Sequence, residues 1–182
     1  NAGKTLTLAQ IAAKAGATGG PIAYENGVNP LQHLPGYGAH ICDVEVDKET
    51  GNVSVVRYTV VQDVGKAIHP AYVEGQMQGG AVQGIGWALN EAYIYTKDGR
   101  LDNAGFLDYR IPVASDMPMI DTVIVEVPNP GHPYGVRGVG ETGITPPLPA
   151  VASAIAGATG ARIRSLPCSP PKVLAAIKAN RA

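Results

Sequence analysis

Hydrophobic and polar positions alternate from residue 40 to 46. His40, Cys42, Val44 and Val46 fall on one side, with Ile41, Asp43 and Glu45 on the other, the period of a half-buried strand. Residues 47–52 (DKETGN) supply a turn. Residues 53–64 (VSVVRYTVVQDV), rich in β-branched side chains, return as the second strand of a hairpin. Upstream, residues 7–15 (TLAQIAAKA) predict a short helix capped by Thr7 and stopped at Gly16, followed by a Gly/Pro/Asn-rich stretch to about residue 38.

The period changes at residues 70–91 (PAYVEGQMQGGAVQGIGWALNE). Met77, Ala81, Gly84, Ile85 and Ala88 share one side at 100° per residue, which predicts a helix with a buried face. An adjacent stripe holds Gln76, Gly79, Gly80 and Gln83, so two amides flank a patch without side chains. Glycine costs a helix up to about 1 kcal/mol per position, so Gly75, Gly79, Gly80, Gly84 and Gly86 together ask for compensation. Close approach of another backbone or of a ligand would supply it. Gln76 and Gln83 alone suit an exposed helix face better, and only the glycines between them raise the ligand reading.

Further on, residues 92–96 predict a strand turning at Lys97, Asp98 and Gly99, and residues 120–127 (IDTVIVEV) another strand. Thr145 is placed to cap a helix with Pro146 at its first position, running to Gly160. Residues 161–165 read as a short strand, and Ser169 with Pro170 opens a closing helix through Lys178. Strands and helices mix without regular βαβ spacing, so the expected class is α+β, with mixed or antiparallel sheets and packed helices. Two regions are expected, an N-terminal helix with its Gly/Pro-rich segment at 1–38 and the remainder at 39–182.

Composition narrows the function. With 182 residues, 45% hydrophobic and 16% charged, the chain can bury a core. A net charge of -1 gives no electrostatic case for nucleic acid. No apolar run reaches the roughly 20 residues of a membrane span, and no signal peptide is visible, so a cytoplasmic chain is expected, with the periplasm left open. Cys42 and Cys168 fit neither a C-x-x-C pattern nor a disulfide framework. His33, His40, His69 and His132 are scattered without ligand spacing, which argues against a histidine-built metal site. Ser153 and Ser165 lack the surroundings of a nucleophilic hydrolase. The sequence starts Asn1-Ala2-Gly3, so a processed chain, a cloned fragment or one piece of a larger polypeptide is expected.

Residues 135–143 (GVRGVGETG) carry the candidate chemistry. Glu141 is the last acidic residue, and beyond it stand Arg162, Arg164, Lys172, Lys178 and Arg181. Gly138, Gly140 and Gly143 spell G-x-G-x-x-G, but a dinucleotide site needs a carboxylate about 20 residues downstream, where the chain has none. A phosphate-binding loop needs Lys at the position of Glu141, whose charge would repel phosphates. What remains is a loop that a ligand can approach closely, ending in a general base or a metal-adjacent carboxylate. A simple acid near a helix N-terminus is the plainer alternative, and Arg137 is placed to pair with Glu141, with an anion or with solvent.

Four blocks in order, DVGKAIHP (63–70), GQMQGGAVQGIGWAL (75–89), DYRIP (108–112) and GVRGVGETGITPPLPAVASAI (135–155), resemble the C-terminal part of the molybdenum-binding subunit of the xanthine dehydrogenase/aldehyde oxidase family. The resemblance implies that residues 39–182 are a molybdopterin-binding portion. It also implies a molybdopterin cofactor, in its cytosine dinucleotide form, with molybdenum held through the pterin and not by protein side chains. Hydroxylation of an aldehyde or aromatic N-heterocycle with water-derived oxygen follows, electrons leaving through iron-sulfur clusters to FAD on partner chains. Expected partners are the remaining molybdenum-subunit chain, an iron-sulfur subunit and an FAD subunit.

Glu141 matches the family's base and would deprotonate a molybdenum-bound hydroxide. Gln83 matches the glutamine of its V-Q-G block. Cofactor contacts are expected from Gln83, Gly79, Gly80 and Gln76 and from the backbone of Gly138, Val139 and Gly140. One departure is that purine-type members continue the glutamate with Pro-Pro, whereas Thr142 and Gly143 follow Glu141 here, which puts a purine substrate in doubt. The upstream cofactor segments and substrate-selecting residues of the family's subunit are not in this chain, so activity is expected only with a partner. Two alternatives stand beside this one: a non-catalytic assembly or cofactor-binding module, and a nicotinamide-dependent dehydrogenase.

Overall fold

The computed structural model describes residues 5–21, 23–27 and 34–180. The chain divides into two compact units, residues 1–31 and 32–182. The first contains helix α1 (Leu8–Ala15), opened by a capping box in which the Thr7 side chain accepts from Gln10 N while Gln10 accepts from Thr7 N. His33 lies outside the described residues.

In the second unit, β1 (Tyr37–Val46) and β2 (Val53–Asp63) form the expected antiparallel hairpin, with a bulge between Asp43 and Val44. β3 (Ile120–Val125) then joins β2 in parallel, giving a mixed three-stranded sheet in the order β1-β2-β3. Helix α2 (Pro70–Leu89) supplies the crossover between the parallel strands and packs against β2 and β3. Helix α3 (Pro147–Thr159) packs on β1 and α2. Helix α4 (Pro170–Asn180) closes the chain.

The core follows from the two periods. Met77, Ala81, Ile85 and Ala88 of α2 are fully buried, as are Tyr58 and Val60 of β2 and Val151 and Ile155 of α3. Burying an Ile or Met side chain contributes about 1.5–3 kcal/mol, so this shared interface fixes α2 and α3 on the sheet.

Three expectations from the sequence need correction. Residues 92–96 do not form a strand beyond one bridge between Tyr95 and Leu101. Asn103, buried, takes over their backbone by accepting from Ile94 N at 2.9 Å and donating to Ala92 O at 2.7 Å. Residues 161–165 find no sheet partner either; Ala161 N turns back to Thr159 Oγ1. Finally, Thr145 does not cap α3. Its hydroxyl turns to Glu141 O at 3.4 Å, and Pro146, already helical in its backbone angles, stands at the cap.

Candidate functional site

Glu141 opens a short 3-10 turn (Glu141–Gly143) and is exposed on the surface of this chain. The turn sits between α2 and the start of β1. A Cβ at Gly80 would lie 3.0 Å from Gly143 C, and one at Gly84 would lie 2.7 Å from both Ile144 O and Pro147 Cβ. At Gly84 only a residue without a Cβ allows this approach, and at Gly80 a Cβ would press on the Gly143 backbone, so the two glycines form the bed of the turn. On the opposite side the Thr142 side chain lies against Gly36 and Gly38. Ile144 N donates to Glu141 O at 3.3 Å and closes the turn.

The loop leading into the turn is anchored on the last two residues of β2. Gln62, fully buried, donates from Nε2 to Val139 O at 3.0 Å. Asp63 pairs with Arg137 at 3.1 Å, the two side chains being 11% and 8% exposed. Asp63 Oδ1 also accepts from Gly65 N and Val127 N, and Arg137 donates to Pro35 O at 3.0 Å. Gly65 and Val136 add an antiparallel bridge. Arg137 therefore pairs with Asp63 and not with Glu141. Its charge is spent holding the loop, and a buried pair of this kind holds only while both partners remain.

The face of α2 beside Glu141 is open. Gly75 and Gly79 meet nothing within 4 Å, as does Gly138 on the loop. Gln76 and Gln83 are exposed, and the Gln76 Nε2 lies 3.9 Å from where a side chain at Gly140 would begin. The predicted residues thus separate into two groups. Glu141, Gln76, Gly79, Gln83, Gly138 and Gly140 border or face open space, whereas Gly80 is covered by Gly143 and the half-buried Val139 gives its carbonyl to Gln62. A shallow apolar concavity of about 240 Å³ adjoins them, lined in part by Val64, Tyr72, Gln76, Arg137 and Val139. The larger concavity, about 540 Å³, lies at the other end of β2 by Asn52 and Asp116, away from Glu141.

Sequence reasoning missed Gln62 and Asp63. The available signal was the polar pair Gln62 and Asp63 following two valines at the end of the strand segment VSVVRYTVVQDV. It also missed a part-buried contact between β1 and β2: His40 Nδ1 meets the Tyr58 hydroxyl at 2.9 Å. Burial lowers the His40 pKa to about 4, so the ring is neutral at pH 7. Burial foremost, then the Asp43 charge, pushes the Cys42 thiol up to about 11, so it is not a nucleophile at neutral pH. Among the described residues no cluster of three or more His, Cys, Asp or Glu could hold a metal ion, and no helix is long and apolar enough to cross a membrane.

Residues 2–118 match a family profile described as a molybdopterin cofactor-binding domain. The chain is 37% identical over 149 residues to the 6-hydroxypseudooxynicotine dehydrogenase complex subunit gamma of Paenarthrobacter nicotinovorans, covering 80% of this chain and 19% of that one. It is 41% identical over 145 residues to the aldehyde oxidoreductase of Megalodesulfovibrio gigas, covering 79% of this chain and 15% of the relative. Among solved structures, quinoline 2-oxidoreductase from Pseudomonas putida 86 superposes with a TM-score of 0.73 at 34% identity, over 78% of this chain and 18% of that one. The chain therefore spans about a fifth or less of the length of these relatives.

Proposed function

Because the chain belongs to the molybdopterin cofactor-binding domain family, we propose that it supplies the base and part of the pterin-binding surface of a molybdenum hydroxylase. The observation that carries this reading is the placement of Glu141. Its turn is seated on Gly80 and Gly84, it is itself exposed, and the preceding residue, Gly140, lies next to Gln76 on the helix that also exposes Gly79 and Gln83.

These residues fit a large polar cofactor. Gly79 and Gly138 leave room for close approach, and the amides of Gln76 and Gln83 offer donors and acceptors to heterocycle or phosphate atoms. The backbone of Gly138, Val139 and Gly140 would meet the cofactor from the loop side. When bound, the molybdenum group supplies a two-electron acceptor and activates oxygen drawn from water. Glu141 would serve that chemistry as a general base, taking up a proton at a carboxylate oxygen.

A base on a solvent-washed surface is poorly prepared for this task, since water weakens the electrostatics of the site. The rest of the molybdenum subunit would cover the open face of α2 and exclude water, so this chain alone is inactive. We assign the cytosine dinucleotide form of the pterin, an aldehyde or N-heterocycle as substrate, and iron-sulfur and FAD chains as electron acceptors. Metal, pterin and flavin analysis of the purified assembly, with a gel of every co-purifying chain, tests the reading. Molybdenum and pterin on the complex, with iron and FAD on partner chains, are expected. A fully folded assembly lacking molybdenum and pterin would overturn it.

A further inference from the structure

Gln62 is the least expected residue of the sheet. It is fully buried near the end of β2, where its strand neighbours Val60 and Val64 are apolar and buried. Its cross-strand partner on β1 is Gly38, so no side chain of the partner stands between Gln62 and the Glu141 loop. Its Nε2 donates to Val139 O at 3.0 Å, joining residues 77 positions apart in sequence. The opposite amide orientation would set two acceptor oxygens against each other, so the donor orientation is the one that chemistry allows.

The other half of the amide is left unmatched. Gln62 Oε1 is buried without a hydrogen-bond partner among the described residues, as is His40 Nε2 on the same face of the hairpin. An unmatched buried carbonyl carries a desolvation cost that a Met of similar length would avoid. What a Met cannot do is hold the Val139 carbonyl. Asp63, the next residue, points to the other side of the strand and holds Arg137 of the same loop. Two successive residues of a rigid central strand thus clasp the loop at alternate positions, with Gln62 on the anchor nearer Glu141.

We infer that Gln62 is a positioning residue for Glu141: its amide fixes the Val139 carbonyl, and through it the height and direction at which the loop delivers the carboxylate. The inference rests on Glu141 being the base. Gln62 is fully buried, and its effect passes through the loop backbone at Val139. Proton transfer is sensitive to such placement, and a displacement on the order of 1 Å lowers rates by about 100-fold.

The test is Gln62→Met in the assembled enzyme, read in two ways. Hydrogen exchange at the amides of residues 138–143 should accelerate about tenfold, the factor one hydrogen bond of ordinary net strength accounts for, while β1, β2 and α2 exchange as before. Turnover per molybdenum should fall about 10- to 100-fold with KM unchanged. If Gln62→Met does not assemble, Gln62→Asn keeps a buried amide but cannot span the gap, and the same results are expected. Uniform acceleration across the unit, unaltered exchange in the loop, or full kcat with a loosened loop would each overturn the inference. The exchange readout does not depend on chemistry at Glu141. A loop that loosens locally while Glu141→Gln retains full turnover would leave the anchor standing and remove the base assignment beneath it.

Discussion

Two halves of the glycine stripe on α2 have opposite surroundings. Gly84 meets backbone and proline atoms at 2.7 Å, a distance that no Cβ would tolerate, and Gly80 meets the Gly143 backbone at a tight 3.0 Å, whereas Gly75 and Gly79, toward the helix start, face nothing within 4 Å. The same residue type on one helix therefore answers to two causes. The covered half is explained inside the chain: it seats the turn that carries Glu141. The open half weakens the helix without any compensation among the described residues, and it flanks the exposed Gln76. A ligand or a covering chain is the compensation that the proposed cofactor site provides.

The comparison can be broken in several places. The largest loss of stability is expected where the loop is anchored. Arg137→Ala strands Asp63 in a nearly dry site and should cost about 3–5 kcal/mol in denaturant unfolding; an unchanged midpoint would mean that the loop is held by other contacts. On the covered half, Gly84→Ala drives a methyl group into Ile144 and Pro147 and should cost about 1–3 kcal/mol. On the open half, Gly79→Ala should instead raise the stability of the isolated fold by about 0.5–1 kcal/mol while lowering pterin content in the assembly. Equal and neutral effects at the two glycines would erase the distinction.

The smallest effect concerns pH. The His40 pKa is depressed to about 4 by burial, against 6.5 in the unfolded chain. The unfolded chain therefore takes up a proton that the folded one refuses as pH falls from about 6.5 toward about 4, and stability declines through that window and levels below it. A His40→Gln variant should lose this part of the pH dependence, measurable as a flatter unfolding midpoint against pH.

Much of the architecture was legible because strong periods leave little choice. The alternation from residue 40 to 46, the β-branched return strand and the apolar face of Met77, Ala81, Ile85 and Ala88 each determine an element and its buried side. The misread segments are those whose backbone is claimed by a distant or sideways partner: Asn103 at residues 92–94, and Glu141 O drawing the Thr145 hydroxyl away from the α3 cap. At the site, the isolation of Glu141 and the glycine stripe could be read from spacing. The division of that stripe into covered and open halves could not, because it depends on Gly143 and Pro147 arriving from another part of the chain. Gln62 and Asp63 escaped for the same reason, their partners lying far downstream in the loop.

The central claim is that Glu141, seated by the covered glycines, is the base beside the cofactor held on the open face. Turnover of Glu141→Gln, normalised to bound molybdenum and pterin, tests it most directly. The account predicts wild-type cofactor content with a rate lower by about 100- to 10,000-fold. Wild-type turnover at wild-type cofactor content would contradict it.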